Sequence, residues 1–220
     1  MYFVAMATQV HTVVVGPFAV NCYLLWDQQS SEGVIIDPGA EADELVEEID
    51  EFNITPRAIL LTHGHGDHIA AVADLKKIFD VPLYIGRGEE ALLADPSANI
   101  SAFFDHPIIA PKPDHSVEDE QLIVVGGIEL LVLSTPGHTA AGVCYLEESG
   151  GRLFCGDTLF AGSIGRTDLS GGDYEQLIRS IQRKILTLPD SVVVFPGHGP
   201  QTTVGTERGT NPFLIGGHYA

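Results

Sequence analysis

Three histidines and an aspartate fall within six positions, His63, His65, Asp67 and His68, in the stretch Thr62-His63-Gly64-His65-Gly66-Asp67-His68. Imidazole nitrogen and carboxylate oxygen are the donors that Zn²⁺ and similar divalent ions take, and the glycines at 64 and 66 let the backbone turn these side chains toward one point. Three more residues of the same types each touch a glycine after an apolar run: His138 in Thr135-Pro136-Gly137-His138-Thr139, Asp157 in Cys155-Gly156-Asp157, and His198 in Pro196-Gly197-His198-Gly199. Taken singly, each would pass for a turn or cap residue. Taken with the cluster, they read as further ligands of one metal site.

Competing chemistries are weaker. Ala161-Gly162-Ser163-Ile164-Gly165 approaches the Gly-x-Ser-x-Gly nucleophile elbow but has Ala in first place. Cys155 ends an apolar strand, where packing is the expected role of a thiol. His11, His106, His115 and His218 stand outside the pattern and are expected at the surface or in the core.

The elements that must hold these residues can be traced by hydrophobic period. Residues 57–61 form a short apolar strand that runs straight into the cluster, and residues 69–79 carry a helical pattern behind it. Upstream, runs at 10–15, 22–26 and 33–36 read as a meander of antiparallel strands, the third closing on the turn signature Asp37-Pro38-Gly39. Residues 42–52 place Leu45, Ile49 and Phe52 at helical spacing on an acidic stretch, which predicts an amphipathic helix with a solvated acidic face. A strand at 82–85, a short helix at 87–94 and a proline-containing loop at 95–116 follow. That loop bears Phe103 and Phe104, and either flanks a substrate pocket or caps the core.

The second half repeats the style, with strands at 121–125, 128–134, 142–146 and 152–155, a helix over about 174–186 and a strand at 192–195. No linker separates the halves and no residue-level repeat relates them. Two β-then-α halves predict an α/β fold, an αββα sandwich of two mixed β-sheets packed together with helices outside, in a single domain over residues 1–220.

Composition narrows the function. A formal net charge of −19 with only 11 basic residues, unclustered, argues against a nucleic-acid partner and against docking to anionic membranes. It also favours solubility or life at raised salt. Cys22, Cys144 and Cys155 are too few and too scattered for a disulfide framework, which points to a reducing compartment. The first ten residues are apolar without a basic flank or cleavage pattern, and no later run reaches transmembrane length, so the protein is expected in the cytoplasm.

The ordered set Thr-His-x-His-x-Asp-His, then His, Asp and His at separate strand ends, resembles the metallo-β-lactamase superfamily. Within it, the stretch Gly156-Asp157-Thr158-Leu159-Phe160-Ala161-Gly162-Ser163-Ile164-Gly165-Arg166-Thr167-Asp168 is similar to the glyoxalase II-like hydrolases, as is Glu207-Arg208-Gly209-Thr210-Asn211-Pro212-Phe213-Leu214. By that resemblance His63, His65 and His138 would hold one divalent ion, Asp67, His68 and His198 a second, and Asp157 would bridge them together with a hydroxide. The ions would be zinc first, with iron or manganese as alternatives, and Asp67 and Asp157 are the candidate catalytic carboxylates. Two such ions about 3.5–4 Å apart deprotonate water near neutral pH, polarise a carbonyl and stabilise the leaving group, so no Ser or Cys nucleophile is needed.

The chain departs from long glyoxalase II enzymes, which carry a helical segment after the last His ligand for glutathione contacts; here eight residues separate His198 from Glu207. Arg166 stands at the family's basic glutathione contact, but two positions on, where an aromatic is common, this chain has Asp168. Arg166 is therefore expected either to bind a substrate carboxylate or to form an ion pair with Asp168 or another acid. Ile69-Ala70-Ala71 follows the Asp-His pair where the family often has glycine. The resemblance implies a thioesterase acting on hydroxyacyl-glutathione or a related small thioester. The alternative is an iron-dependent persulfide dioxygenase using His63, His138 and Asp157 as a two-His-one-carboxylate set. A binding module merely stabilised by metal fits poorly, because structural zinc favours closed four-ligand sites rich in cysteine.

Overall fold

The computed structural model describes residues 8–215. Its first half builds one sheet. Strands β1 (Thr8–Val15), β2 (Val20–Asp27) and β3 (Glu32–Ile36) form the expected antiparallel meander. Parallel pairing then adds β4 (Thr55–Leu60), β5 (Leu83–Gly86) and β6 (His115–Val117) in sequence order. Parallel neighbours need crossovers, and these are supplied by α1 (Ala42–Glu51), α2 (Gly66–Ile69), α3 (Val72–Phe79) and α4 (Glu90–Ala94).

The second half builds the other sheet from β7 (Leu122–Val125), β8 (Ile128–Ser134), β9 (Val143–Glu147) and β10 (Arg152–Gly156). A small hairpin, β11 (Leu159–Phe160) and β12 (Ser163–Ile164), stands apart from it. After α5 (Tyr174–Ser180), strands β13 (Val193–Pro196) and β14 (Thr202–Thr203) complete the order β14-β13-β10-β9-β8-β7, and α6 (Val204–Thr210) and α7 (Pro212–Ile215) follow. Only β10 and β13 pair in parallel in this sheet, so both sheets are mixed.

Alternation along the strands sorts side chains into three apolar layers. On β2, Cys22 and Leu24 face Leu45 and Ile49 of α1 and Val72 and Leu75 of α3. Tyr23 and Leu25 point the other way, against Leu130, Val132, Tyr145 and Phe154 between the sheets. Leu133, Cys144, Leu153 and Cys155 then meet Leu177 and Ile181 on the far side. A sheet covered on both faces has no polar side, which is why these strands read as continuous apolar runs. The αββα sandwich is thus the observed architecture.

Several elements differ from the sequence expectation. The single helix predicted over 69–79 is two: α2 stops at Ile69, the Ala71 N–H donates to the Pro38 carbonyl at 3.0 Å, and α3 starts at Val72. The break lets α2 aim at the strand ends while α3 lies across the sheet. The helix predicted to about 186 is α-helical to Ser180 and continues as a π-helical turn, Ile181–Ile185, with the Leu186 N–H bonded to the Ile181 carbonyl. Residues 95–116 are not wholly loop, since they contain a 3₁₀ turn, Ser101–Phe103, and the start of β6. Strand β14, the β11–β12 hairpin and helices α6 and α7 went unanticipated. Among the described residues no helix is long and apolar enough to cross a membrane.

The stretch from Glu207 to Leu214 proves to be a latch. The buried Glu207 carboxylate accepts from the Gly162 N–H at 2.9 Å, the Thr202 hydroxyl at 2.6 Å and the Asn211 amide at 2.8 Å. Asn211 also donates to the Ser163 carbonyl at 3.0 Å, so α6 is tied to the hairpin that lies over the strand ends.

Candidate metal centre

All seven predicted ligands lie beyond the carboxyl ends of strands. His63 and His65 follow β4, Asp67 and His68 sit on α2, and His138, Asp157 and His198 follow β8, β10 and β13. The two sheets are stitched together at this end: the Val143 N–H donates to the Thr62 carbonyl, the Asn21 N–H to the Gly197 carbonyl and the Tyr145 hydroxyl to the Leu61 carbonyl, each at 2.8 Å. Parallel pairing of β10 with β13 sets Asp157 beside Gly197, where a Cβ would lie 2.2 Å from Asp157 Oδ1 and 2.7 Å from His68 Cε1. Only glycine fits there.

The ligand atoms converge in two groups. Donor atoms of His63, His65 and His138 lie within 4.8 Å of one another, as do those of Asp67, His68 and His198. His65 Nδ1 and His138 Nε2 face each other at 3.0 Å. In the second group His198 Nε2 is 3.4 Å, and His68 Nε2 3.9 Å, from Asp67 Oδ2. Asp157 stands between the groups, with Oδ2 3.6 Å from both His138 Nε2 and His198 Nε2 and Oδ1 3.4 Å from His68 Nε2.

The far sides of the rings decide which nitrogen points inward. His138 Nδ1 donates to the Arg166 carbonyl at 2.7 Å and His198 Nδ1 to the Phe18 carbonyl at 3.0 Å. Asp37 serves His68: its Oδ2 accepts from His68 Nδ1 at 3.1 Å and from the Thr62 hydroxyl at 2.6 Å, while Oδ1 accepts from the Thr62 N–H at 2.8 Å. The Thr62 hydroxyl has spent its proton on Asp37, so its oxygen accepts from His63 Nδ1 at 3.1 Å. Each of these four rings therefore turns its Nε2 toward the centre, the orientation that outer partners impose on metal-binding imidazoles.

Those inward atoms are what a cation would satisfy. His63 Nε2, His68 Nε2 and Asp157 Oδ1 are buried without a hydrogen-bond partner, while His65 presents its Nδ1 to the group. A buried polar atom left unpaired costs about 1–3 kcal/mol, so three in one place call for a bound group. The donor set, imidazole and carboxylate without thiolate, suits zinc, iron or manganese. A third grouping, Asp37 with His63 and His68, is geometrically compact, but the Asp37 oxygens are already engaged and it acts as an outer partner.

Charge is divided across the site. Burial, helped by the neighbouring imidazoles, keeps His63 well below the ordinary histidine range and lowers His65 to about 3. Burial also opposes charge on His68, but Asp157 and Asp67 outweigh it and hold that ring well above its ordinary value. Asp157 and Asp67 are likewise held below the usual carboxylate range, against burial, by His68 and the other nearby rings. Metal binding at His68 therefore has to release a proton.

The sequence reading missed two supports. Asp37 registered only as part of a turn. Glu89, fully buried at the start of α4, accepts from the Gly64 N–H at 3.0 Å and the Ala141 N–H at 2.9 Å and so clamps the His63–His65 loop to the loop after His138. Arg166 takes the ion-pair course: its Nε and Nη2 donate to Asp168 at 2.8 and 2.9 Å, in solvent, while its backbone carbonyl orients His138. His11 and His115 lie away from the centre, against Phe52 and Tyr84, and His106 is exposed; His218 lies outside the described residues.

Residues 15–198 match the metallo-beta-lactamase superfamily. The chain is 38% identical to the hydroxyacylglutathione hydrolase GloC of Haemophilus influenzae, over 93% of this chain and 97% of that one. Among solved structures, the BLEG-1 B3 metallo-beta-lactamase superposes with a TM-score of 0.90 at 42% identity, covering 94% of this chain and 99% of that chain. TTHA1623 in a di-iron-bound form gives a TM-score of 0.81 at 38% identity, over 93% of this chain and all of that one (100%). Fold and sequence agree, and the chain belongs to the metallo-β-lactamase superfamily.

Proposed function

We propose that the protein is a binuclear metal-dependent hydrolase of small thioesters, with hydroxyacyl-glutathione as the reference substrate class. The observation that carries this reading is the convergence of two complete ligand triads around Asp157, with His63 Nε2, His68 Nε2 and Asp157 Oδ1 unpartnered. His63, His65 and His138 would hold one ion, Asp67, His68 and His198 the other, and the placement of Asp157 Oδ2 at 3.6 Å from a ligand of each supports a bridging role. Such ions supply acidity to a water molecule and polarise the scissile carbonyl. The chain's own residues fix the ring orientations through Asp37, Thr62 and the carbonyls of Phe18 and Arg166.

Likeness to GloC over nearly the full length of both chains favours the thioester class. Zinc is the first choice of metal, while the di-iron form of TTHA1623 keeps iron in view. The charge of −19 supports a small soluble substrate and neither a nucleic-acid nor a membrane partner, and three buried free cysteines support a cytoplasmic setting. A second reading, β-lactam hydrolysis at the same centre, is favoured by one observation, the 42% identity to BLEG-1. Metal-loaded protein should release thiol from a thioester panel without consuming oxygen and hydrolyse β-lactams more slowly. Oxygen uptake with glutathione persulfide and no thiol release would transfer the assignment to a persulfide dioxygenase; rapid β-lactam turnover alone would transfer it to a lactamase.

A further inference from the structure

His198 is the least enclosed of the seven ligands: its side chain is 28% exposed, where the others are 14% or less. Packing around the ring therefore does not fix it, and its place depends on the loop that carries it. That loop has glycine on both sides of the ligand, and Gly199 stands at φ +74°, so local stiffness does not set its course.

Strand β2 of the opposite sheet holds the loop instead. Asn21 spends both amide protons on it, donating to the Pro196 and Gly199 carbonyls at 2.9 Å each, and its own N–H donates to the Gly197 carbonyl at 2.8 Å. One buried residue thus ties down the backbone on either side of His198. The Tyr23 hydroxyl is a second donor to Pro196, and Val20 bridges to His198 itself. Leucine has nearly the bulk of asparagine but nothing to donate from its side chain.

The first triad has a clamp of the other polarity. Glu89 accepts from the N–H of Gly64, between His63 and His65, and from that of Ala141, three residues after His138. An amide in its place would set a donor against one of those N–H groups. The two clamps share no residue: Asn21 grips the backbone at 196, 197 and 199, and Glu89 grips it at 64 and 141.

We infer that Asn21 is the positioning residue of the second ion, as Glu89 is of the first, so that each ion can be loosened without the other. The inference rests on the two-triad reading above and names the residues outside the triads that set the affinity of each ion.

The test measures zinc affinity of metal-stripped protein by chelator competition in two backgrounds, each with one whole triad. His65→Ala keeps the second triad and His198→Ala keeps the first. Asn21→Ala should weaken zinc binding by about 10–100-fold in the His65→Ala background and by less than about twofold in the His198→Ala background, and Glu89→Gln should do the reverse. Asn21→Leu should match Asn21→Ala and serves in its place if circular dichroism finds the alanine variant unfolded. Equal losses in both backgrounds would make Asn21 a general core group, and no loss beside His65→Ala would remove it from the site. Either result overturns the inference, while two zinc ions per wild-type chain would keep the two-ion centre. A wild type that binds fewer than two zinc ions overturns both.

Discussion

A carboxylate lies beside each end of β10, Glu147 fully buried and Asp157 with one buried oxygen, and they are treated in opposite ways. At the start of the strand, Glu147 of the neighbouring β9 accepts from Arg152 Nη1 at 2.9 Å, from the Ser149 hydroxyl at 2.9 Å and from the Thr8 hydroxyl, so both its oxygens are occupied. Arg152 also donates to the Thr8 hydroxyl and carbonyl, which ties β1 of one sheet to β10 of the other. Five residues on, Asp157 has a buried oxygen with no partner and three imidazoles within 3.6 Å. A satisfied buried carboxylate holds the fold together, whereas an unsatisfied one facing inward lone pairs is arranged for a cation.

This contrast predicts that damage at the two ends will be read by different instruments. The largest expected effect is at the open end. Asp157→Ala should lower kcat/KM by more than about 100-fold, the upper range for losing a mere supporting partner, and should reduce the metal content of a chain that remains folded by circular dichroism. Full activity in that variant would remove Asp157 from the site.

Arg152→Met should do the reverse. Leaving Glu147 buried without its cation should cost about 3 kcal/mol, a fall of about 6–12 °C in Tm for a chain of this size, while metals per chain stay as in wild type. Loss of metal at unchanged Tm would show that the closed end is not purely structural.

Asp37→Asn gives a smaller and more specific effect. An amide cannot accept from both the Thr62 hydroxyl and His68 Nδ1 through Oδ2 while keeping the Thr62 N–H on Oδ1, so one contact becomes donor against donor. Metal affinity should fall by about 10–100-fold in a chelator competition, with little change in Tm of the metal-free protein. An equal loss of stability and affinity would make Asp37 an ordinary core group.

The same contrast explains what could be read in the sequence. All seven inward-facing residues were legible because His and Asp are scarce types that recur beside glycine at the ends of apolar runs, and the layered fold was legible because sheets covered on both faces leave unbroken apolar strands. Asp37 and Glu89 were not, since their roles depend on partners far along the chain: Asp37 on Thr62 and His68, Glu89 on Gly64 and Ala141. Locally one is a turn residue and the other an acid at a helix start. Strands of two or three residues such as β6, β11 and β14 are too short to show a period. The break between α2 and α3 is set by the Pro38 carbonyl, which no helical pattern in 69–79 reveals. Arg166 meets His138 through its backbone carbonyl, a contact that its side-chain type could not announce.

The most direct test of the central claim, that the unpartnered atoms around Asp157 form a two-ion centre, is elemental analysis of purified protein after expression with zinc, iron or manganese supplied. Two divalent ions per wild-type chain and fewer than one in Asp157→Ala are the predicted result. A metal-free wild type, or the same metal content in both proteins, would contradict it.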